Sequence, residues 1–310
     1  MQTDKLIINA ALTGMVPTQA DNPNLPCTPE EIVADARRCR DAGASIVHVH
    51  ARDDSGKPTY KKEIYAEIIS GIRSECPDLL ISGSTSGRLY RQFEQRSEVL
   101  DPGPGCRPDL GSLTLGSMNF PTGASVNEPQ MIKDLALTMR RHGIKPEIEL
   151  FDLGMVDYAH YLIAKGILAG PCYCNLLLGS LGTLAATPLN LATMARALPE
   201  DTVWSATGIG RFQFYVNCMA IAMGGHVRVG LEDNLYYDAE KQELATNAGL
   251  VERLVHVARA VGRQVATPDE VRLRLGLPAR KRSKQTSIVA LDGTRRQQGS
   301  QRPIISTEPK

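Results

Sequence analysis

Short β-rich runs alternate with amphipathic helical stretches along most of the chain, and this alternation limits the possible fold more than any other feature. In the helical stretches, apolar residues recur at i, i+3 and i+4. The β-rich runs occupy 6–12, 46–51, 79–85, 110–118, 147–153, 172–179, 202–208 and 226–232. The helical stretches occupy 29–42, 60–75, 127–142, 155–166, 188–198, 212–224 and 246–262, with a weaker crossover near 88–98. Such alternation implies parallel strands joined by right-handed crossovers.

The number of units selects the architecture. Eight strand–helix units in roughly 265 residues fit a closed (β/α)8 TIM barrel better than an open doubly wound sheet. An open dinucleotide-binding sheet would need Gly-x-Gly-x-x-Gly after the first strand, whereas residues 13–17 read Thr-Gly-Met-Val-Pro. We therefore predict an α/β fold with one barrel domain over residues 1–280 and a C-terminal extension over residues 281–310.

The charge of the chain is divided unevenly. Although the formal net charge of the 310 residues is +1, residues 280–310 contain eight Lys or Arg and only two acids. This end therefore carries +6, and the rest of the chain carries −5. The basic extension is either a frayed tail or an arm that packs on a neighbouring subunit or helps to hold a phosphate-bearing ligand. Because no other segment resembles a nucleic-acid-binding element, we expect no nucleic-acid partner.

The apolar runs and the cysteines indicate the compartment. No apolar run reaches the roughly 18–20 residues that a membrane span needs, and the N-terminus does not resemble a secretory signal. Seven scattered cysteines exclude a complete disulfide framework. We therefore expect a cytoplasmic protein without a membrane partner. Cys172 and Cys174 lie on one face of a strand, and they are either buried apolar residues or half of a structural metal site.

The second predicted strand ends in two histidines. In a barrel of this kind, the active site forms at the carboxyl ends of the strands. His48 and His50 are two residues apart, so both imidazoles point to the same side of the strand. They could form a buried polar network, or they could provide two neutral nitrogen ligands for a divalent metal. Their position at a strand end favours the metal.

The last predicted strand carries an arginine and two acids. Alternation places Arg228 and Glu232 on one face, and Asp233 follows at the mouth of the barrel. Arg228 and Glu232 could form a structural ion pair, or Glu232 could complete a site of two histidines and one carboxylate with open positions for substrate. Asp233 could pair with Arg228 or act as a base. A buried Arg228 needs an anionic partner, from the protein or from the substrate.

Other strand ends carry polar residues with weaker signals. Hydroxyls and backbone N–H groups in 84–88, Ser-Thr-Ser-Gly-Arg, can form a nest for a carboxylate. The fourth strand presents Ser112 and Thr114 as a small polar lining. The fifth presents Glu147 and Glu149, which either support the metal or are barrel polar residues. The segment 208–211, Gly-Ile-Gly-Arg, suits a phosphate or a second carboxylate.

Several of these segments together resemble a known family, the β-keto acid cleavage enzymes. The similar segments are NAALTG at 9–14, NPNLPCTPEEI at 22–32, AGASIVHVHARDDSGKPT at 42–59, STSGR at 84–88, PEIELFDLGMV at 146–156, ATGIGR at 206–211, GGHVRVGLEDN at 224–234 and ATPDEVR at 266–272. The His-x-His and Gly-x-Glu-Asp-Asn motifs are specific. The resemblance covers about residues 5–275, and the extension after 280 has no recognised counterpart.

The resemblance implies a zinc-dependent (β/α)8 acyltransferase that condenses acetyl-CoA with a β-keto acid and releases acetoacetate and a shortened acyl-CoA. It assigns one Zn²⁺ per chain to His48, His50 and Glu232. It assigns catalytic and orienting roles to Ser84, Arg228 and Asp233, and it assigns substrate contacts to Thr85, Ser86, Gly87, Ser112 and Thr114. The family often has Gly, Thr and Asn where this chain has Ser86, Ser112 and Thr114. The resemblance also implies a homotetramer.

One departure from the family concerns the substrate. The family's aminohexanoate-cleaving member is similar through the first strand but has Glu at the place of Val16. That Glu suits a substrate ammonium, whereas Val16 cannot pair with a cation. We therefore expect a substrate that is not cationic, and Arg88 or Arg211 near the mouth could favour a second carboxylate.

Two functions from other classes are alternatives to the acyltransferase function. A metal hydrolase of the amidohydrolase type would place His-x-His on the first strand and further histidines on the fifth and sixth, and 147–153 and 172–179 contain none. A non-catalytic barrel could keep the metal to bind a small acid. Such a binder has no need of a base such as Asp233 beside an electrophilic metal.

Overall fold

Eight parallel strands close into a barrel, as the alternation predicts. The computed structural model of the protein describes residues 4–120 and 123–280. The barrel strands are β1 Ile8–Ala11, β2 Ile46–Val49, β3 Leu80–Gly83, β4 Leu110–Thr114, β5 Lys145–Leu150, β6 Cys172–Leu178, β7 Thr202–Gly208 and β8 His226–Val229. Their order around the barrel is sequential, and β8 pairs with β1. The predicted extension 281–310 lies outside the described residues, so the division into barrel and tail stays a prediction.

Helices connect consecutive strands, and among the described residues two further helices follow the last barrel strand. They are α1 Pro29–Ala42, α2 Lys62–Glu75, α3 Phe93–Ser97, α4 Pro129–His142, α5 Leu153–Ala164, α6 Pro188–Ala197, α7 Gln213–Ala222, α8 Asn247–Ala260 and α9 Pro268–Arg274. The weak third crossover is short, since α3 passes into a 3₁₀ turn at Glu98–Leu100. At the start of α1, Thr28 and Glu31 form a reciprocal capping box, which satisfies backbone donors at the helix end. The sequence analysis did not predict α9.

Several strands are shorter than the runs that predicted them. The run 110–118 ends as a strand at Thr114, and Met118–Phe120 pairs with Gly123–Ser125 in an antiparallel hairpin at the mouth. The run 226–232 ends at Val229 because the next residue, Gly230, has φ +152°. A Cβ at Gly230 would lie 2.1 Å from the carbonyl oxygen of Ala11. Glycine therefore permits the close passage of the chain beside β1.

The two ends of the barrel lumen differ in polarity. At the amino end, side chains from the strands pack against Val271 of α9 and against Leu275, which directly follows that helix. The strands contribute Ile46, Leu80, Leu110, Tyr173 and Val203, and Ile7, directly before β1, joins them. Towards the carboxyl end, the buried residues are polar, among them Asn9, His48, Ser82, Glu147 and Arg228. The lumen is therefore sealed by apolar packing below and is polar above.

None of the helices in the described part of the chain combines the length and the apolar character that a membrane span requires. The seven cysteines form no disulfide. Cys172 and Cys174 are buried in β6. They belong to no cluster of three metal-ligating residues within 4–120 and 123–280, so the structure gives no support to a metal at this pair.

Candidate active site and metal centre

A cavity of about 560 Å³ opens at the carboxyl ends of the strands. Every barrel strand or the loop that follows it contributes to the wall. The polar lining residues include His48, His50, Ser84, Ser86, Arg88, Ser112, Thr114, Glu149, Arg228, Glu232 and Asp233. This is the end of the barrel at which the sequence predicted the active site.

His48, His50 and Glu232 converge in this cavity. The Nε2 atoms of the two histidines are 3.3 Å apart, and Nε2 of His50 lies 3.2 Å from Oε1 of Glu232. Nε2 of His48 lies 3.8 Å from Oε2 of Glu232. Among the described residues, these three form the only group of His, Cys, Asp and Glu side chains whose ligand atoms lie within 4.8 Å of one another.

The donor set fits a divalent transition metal such as zinc. Two imidazoles and one carboxylate are ligands that zinc prefers, with positions left for substrate. Oε2 of Glu232 is buried and has no hydrogen-bond partner within the described residues, so a ligand atom remains available. Burial lowers the pKa of His50, which favours the neutral imidazole that binds a metal.

The backbone of the first loop places Glu232 in this group. Gly14 has φ +68°, and a Cβ there would lie 2.7 Å from Cγ of Glu232. The backbone N–H of Glu232 also donates to the carbonyl of Ala11 at 3.2 Å. Because Gly14 has no side chain, the Glu232 side chain can pass the first loop and reach the histidines.

Glu147 lies beneath the candidate metal group and contacts His48. Its Oε2 lies 2.9 Å from Nδ1 of His48, which leaves Nε2 of that ring facing His50. Glu147 also accepts hydrogen bonds from Asn9, Ser82 and Asn175. Burial alone would raise the pKa of Glu147, but His48 and Arg228 lower it to about 2. An ionised Glu147 holds His48 in the tautomer that presents Nε2.

Arg228 lies among four carboxylates. Its Nε donates to Oδ2 of Asp233 at 2.9 Å, and its Nη2 lies 2.8 Å from Oε1 of Glu232. Its Nη1 donates to Oε1 of Glu149 at 3.2 Å and lies 3.7 Å from Glu147. Burial lowers the pKa of Arg228, but these carboxylates outweigh it and raise the pKa well above its usual range. Arg228 is therefore a fixed cation that orients the acids around it.

Asp233 and Glu149 are buried acids on either side of this guanidinium. Burial raises the pKa of Asp233, and Arg228 offsets only part of that shift. Burial also raises the pKa of Glu149, whose Oε2 accepts a hydrogen bond from Thr114 at 2.6 Å. Oδ1 of Asp233 has a longer contact with Arg228, 3.4 Å, than Oδ2 has. Oδ1 is therefore the freer atom to accept a proton.

The hydroxyl side chains of segment 84–88 do not all face the cavity. Ser84 and Ser86 line the cavity. The Thr85 hydroxyl donates to the Ser112 carbonyl at 2.6 Å, and the Thr85 N–H donates to the Ser112 hydroxyl at 3.0 Å. Neither Thr85 nor Gly87 lines the large cavity, so both shape the segment from behind.

Arg96, which the sequence analysis did not single out, holds that segment from below. Its guanidinium donates to the carbonyls of Thr85 and Val126 and to the side chain of Asn127. A Cβ at Gly87 would lie 2.6 Å from the guanidinium. The only signal in the sequence is a charged residue on a short helix, and that signal does not distinguish Arg96 from a surface arginine.

The remaining predicted contacts fall into two groups. Ser112, Thr114 and Val16 line the cavity, and Val16 lies at its outer part, where it is 48% exposed. Arg211 lies in the 3₁₀ turn Gly210–Phe212 with its guanidinium 5.0 Å from the Phe212 ring, and it does not line the cavity.

Comparisons with known proteins agree with this geometry. The sequence model of one family, described as beta-keto acid cleavage enzyme, matches residues 5–277. The 3-keto-5-aminohexanoate cleavage enzyme of Fusobacterium nucleatum subsp. nucleatum is 41% identical over 276 residues, which cover 88% of this chain and 98% of the relative. The 3-oxoadipate:acetyl-CoA acetyltransferase of Cupriavidus necator is 37% identical over 284 residues, which cover 89% and 96%.

A solved structure, the apo form of ObcA, is similar in fold. The TM-score is 0.74 at 23% sequence identity, and the match covers 83% of this chain and 66% of that chain. At this identity the likeness supports the barrel architecture alone.

Proposed function

The chain belongs to the β-keto acid cleavage enzyme family, and on this premise we propose that it is a zinc-dependent enzyme that condenses a β-keto acid with acetyl-CoA. The products are acetoacetate and the CoA thioester of the shortened acid. In the overall exchange, the CH₂–COO⁻ unit of the keto acid passes to the acetyl group, and the shortened acyl group takes the CoA sulfur. The cytoplasmic location expected from the sequence and the homotetramer implied by the family resemblance stay predictions.

One observation carries the proposal: a two-histidine, one-carboxylate metal group and a buried Asp–Arg pair share one cavity. When bound to His48, His50 and Glu232, zinc would supply Lewis-acid polarisation of the keto group. A protein that only bound a small acid would gain nothing from a base placed against this group. The hydrolase alternative has no support either, since His48 lies on β2 with His50 directly after its end, and no histidine lies on β5 or β6.

Asp233 is the proposed base. Its pKa is raised by burial, which makes the carboxylate a stronger base, and Arg228 keeps it ionised and oriented. Oδ1 takes a proton from the methylene group between the keto and carboxylate carbons, and the resulting carbanion attacks the thioester carbonyl of acetyl-CoA and releases the CoA thiolate. Arg228 and Ser84 line the same cavity and are proposed to position the thioester and the carboxylate. The thiolate then attacks the keto carbon, the bond from that carbon to the methylene carbon breaks to leave the shortened acyl-CoA, and Asp233 returns the proton to the departing acetoacetate carbanion.

The residues of the outer part of the cavity are those that the tail of the substrate would contact. Val16 stands there and offers no charge to a substrate ammonium. The nearby carboxylate of Asp21 is exposed at the rim and accepts two hydrogen bonds from Thr18. The two relatives described above are named for an amino-substituted and a dicarboxylic keto acid, so family membership leaves the tail open. We propose that the substrate of this chain is not cationic.

The test is a panel of β-keto acids with cationic, apolar and dicarboxylic tails, incubated with acetyl-CoA and the zinc-loaded protein. Acetoacetate formation is measured for each member. We expect turnover of at least one uncharged or anionic member, with equimolar acyl-CoA. Turnover of the cationic member alone would refute the Val16 argument, and no acetoacetate from any member would refute the proposed reaction.

A further inference from the structure

Arg88 is a cation on the cavity wall that forms no ion pair with an acid of the described residues. Its guanidinium carbon lies 3.6 Å from the centre of the Phe120 ring, and Phe120 packs edge-on against Phe151 at 6.0 Å. Across residues 4–120 and 123–280, no carboxylate oxygen lies within 4.0 Å of this guanidinium. Arg88 is half-buried and lines the same cavity as the metal group. Its N–H groups are therefore available to a ligand.

The surroundings make this cation costly without a ligand. Burial lowers the pKa of Arg88, and the carboxylates of Glu232, Asp233 and Glu149 act in the opposite direction from across the cavity. All three of those acids are already in contact with Arg228. A guanidinium stacked on an aromatic ring keeps its N–H edges free, and their planar fork matches a carboxylate.

We infer that Arg88 binds a second carboxylate at the far end of the substrate, so that the preferred substrates are β-keto dicarboxylic acids. This inference rests on the proposed function, because it assumes that the keto acid occupies the cavity beside the metal group. The edge-to-face rings of Phe120 and Phe151 form the wall that the carbon chain of such an acid would contact.

The phosphates of acetyl-CoA are the alternative anionic ligand for Arg88. The position of Arg88 favours the carboxylate, since Arg88 is half-buried and lies within electrostatic reach of Glu232 and Asp233. Lys241, which also lines the cavity, is exposed and lies 5.8 Å from the Tyr236 ring. An exposed cation at the rim suits a phosphate, which remains partly hydrated, better than a half-buried one does.

The experiment compares two substrates that differ only in the tail charge: a straight-chain 3-oxo dicarboxylic acid of six or seven carbons and its ω-methyl ester. Arg88→Gln is expected to lower kcat/KM for the diacid by about 10–100-fold, the worth of a charge-assisted bidentate contact, and to change kcat/KM for the ester less than about threefold. Arg88→Lys keeps the charge but loses the fork, and it should fall between the two. Arg91→Gln, an exposed arginine of the same loop, is the matched control and should resemble the wild type.

Three results would overturn the inference. An equal loss for both substrates would make Arg88 a general electrostatic element of the site, and a selective rise in the KM for acetyl-CoA would assign it to phosphate. Unchanged kinetics of the Arg88→Gln variant with the diacid would show that Arg88 has no role in binding this substrate. If the wild type turns over no keto acid, the proposed reaction fails separately. Calorimetric titration of the zinc-loaded protein with the diacid alone then still tests whether Arg88→Gln weakens binding.

Discussion

The two ends of the barrel both bury charged side chains, but they balance the charges in opposite ways. At the carboxyl end, the single guanidinium of Arg228 lies within 4.0 Å of four carboxylates, those of Glu147, Glu149, Glu232 and Asp233. At the amino end, the single carboxylate of Asp109 pairs with the guanidiniums of Arg73 and Arg272. One end therefore has an excess of negative charge, and the other does not.

This difference in charge balance distinguishes the candidate active site at the carboxyl end from a structural ion-pair group at the amino end. An excess of buried carboxylates is stable only when further positive charge is present, and a divalent metal on His48, His50 and Glu232 would supply it. The Asp109 group instead joins α2 to α9, the helix that seals the lumen. Buried charge at the carboxyl end should thus control activity, and buried charge at the amino end should control stability.

The largest expected effect is at the carboxyl end. Glu232→Ala should abolish metal binding and turnover together, because it removes one of three ligands. Asp233→Asn should keep the metal and lower turnover by about 10²–10⁴-fold, the usual contribution of a general base. Zinc content by plasma emission spectrometry, measured beside acetoacetate formation, checks both. A metal-free Glu232→Ala protein that retained activity would contradict the assignment.

The second prediction concerns the buried ion-pair group at the amino end of the barrel. Asp109→Asn leaves Arg73 and Arg272 buried without a counter-charge and should lower the free energy of unfolding by about 3–5 kcal/mol. Turnover per folded molecule should not change. Urea unfolding and active-site-normalised kinetics measure the two quantities. A loss of turnover without a loss of stability would break the proposed separation of the two ends.

A smaller effect is expected for Glu147→Gln, within the polar lumen. Without the carboxylate, His48 loses the partner that fixes its tautomer, so zinc affinity should fall by about 10–100-fold. Competition with a chromophoric chelator measures that affinity. Asp109→Asn serves as the control, since it should destabilise the protein without changing the zinc affinity. Equal zinc affinities for Glu147→Gln and the wild type would show that Glu147 serves only packing.

The smallest effect concerns His226 and pH. Burial lowers the pKa of this histidine to about 3, and its Nδ1 accepts the Ile7 N–H at 3.0 Å. The folded state therefore stays neutral while the unfolded state takes up a proton below about pH 6.5, so acid destabilises the protein. Between pH 7 and pH 5 this linkage is worth about 2 kcal/mol. His226→Asn keeps an acceptor but cannot titrate, and urea unfolding at both pH values should show a flatter dependence. Parallel curves for the two proteins would refute the assignment.

Much of the fold was predictable because its signals are local. Helix α1 has the predicted bounds, and β7 coincides with its run. Helix α9 was missed because its seven residues are too few to show a periodicity, although Val271 and Leu275 seal the lumen. The hairpin at 118–125 was missed because its strands have three residues each, and alternation over three residues is not distinctive.

The site was predictable where its members are neighbours in sequence. His48 and His50 belong to the end of one strand, and Glu232 and Asp233 belong to the end of another, so each pair could be recognised locally. The structure brings all four residues to one cavity. The partners of Arg228 and His48 were not predictable. Glu149 is 79 residues from Arg228, and Glu147 is 99 residues from His48. From the sequence alone, Glu147 and Glu149 either support the metal or are polar residues of the barrel, and no local pattern distinguishes these two roles.

The sequence by itself determined the alternation, the closed barrel that eight alternating units favour, and the chemical types present at each strand end. Tertiary structure alone decided which of those side chains meet, because closing the barrel sets the strand register and brings distant carboxylates to one guanidinium. It also decided that Thr85 turns away from the cavity and that Arg88 turns into it. Period-two alternation assigns a side chain to a face, but only packing against neighbouring strands fixes the atom that it contacts.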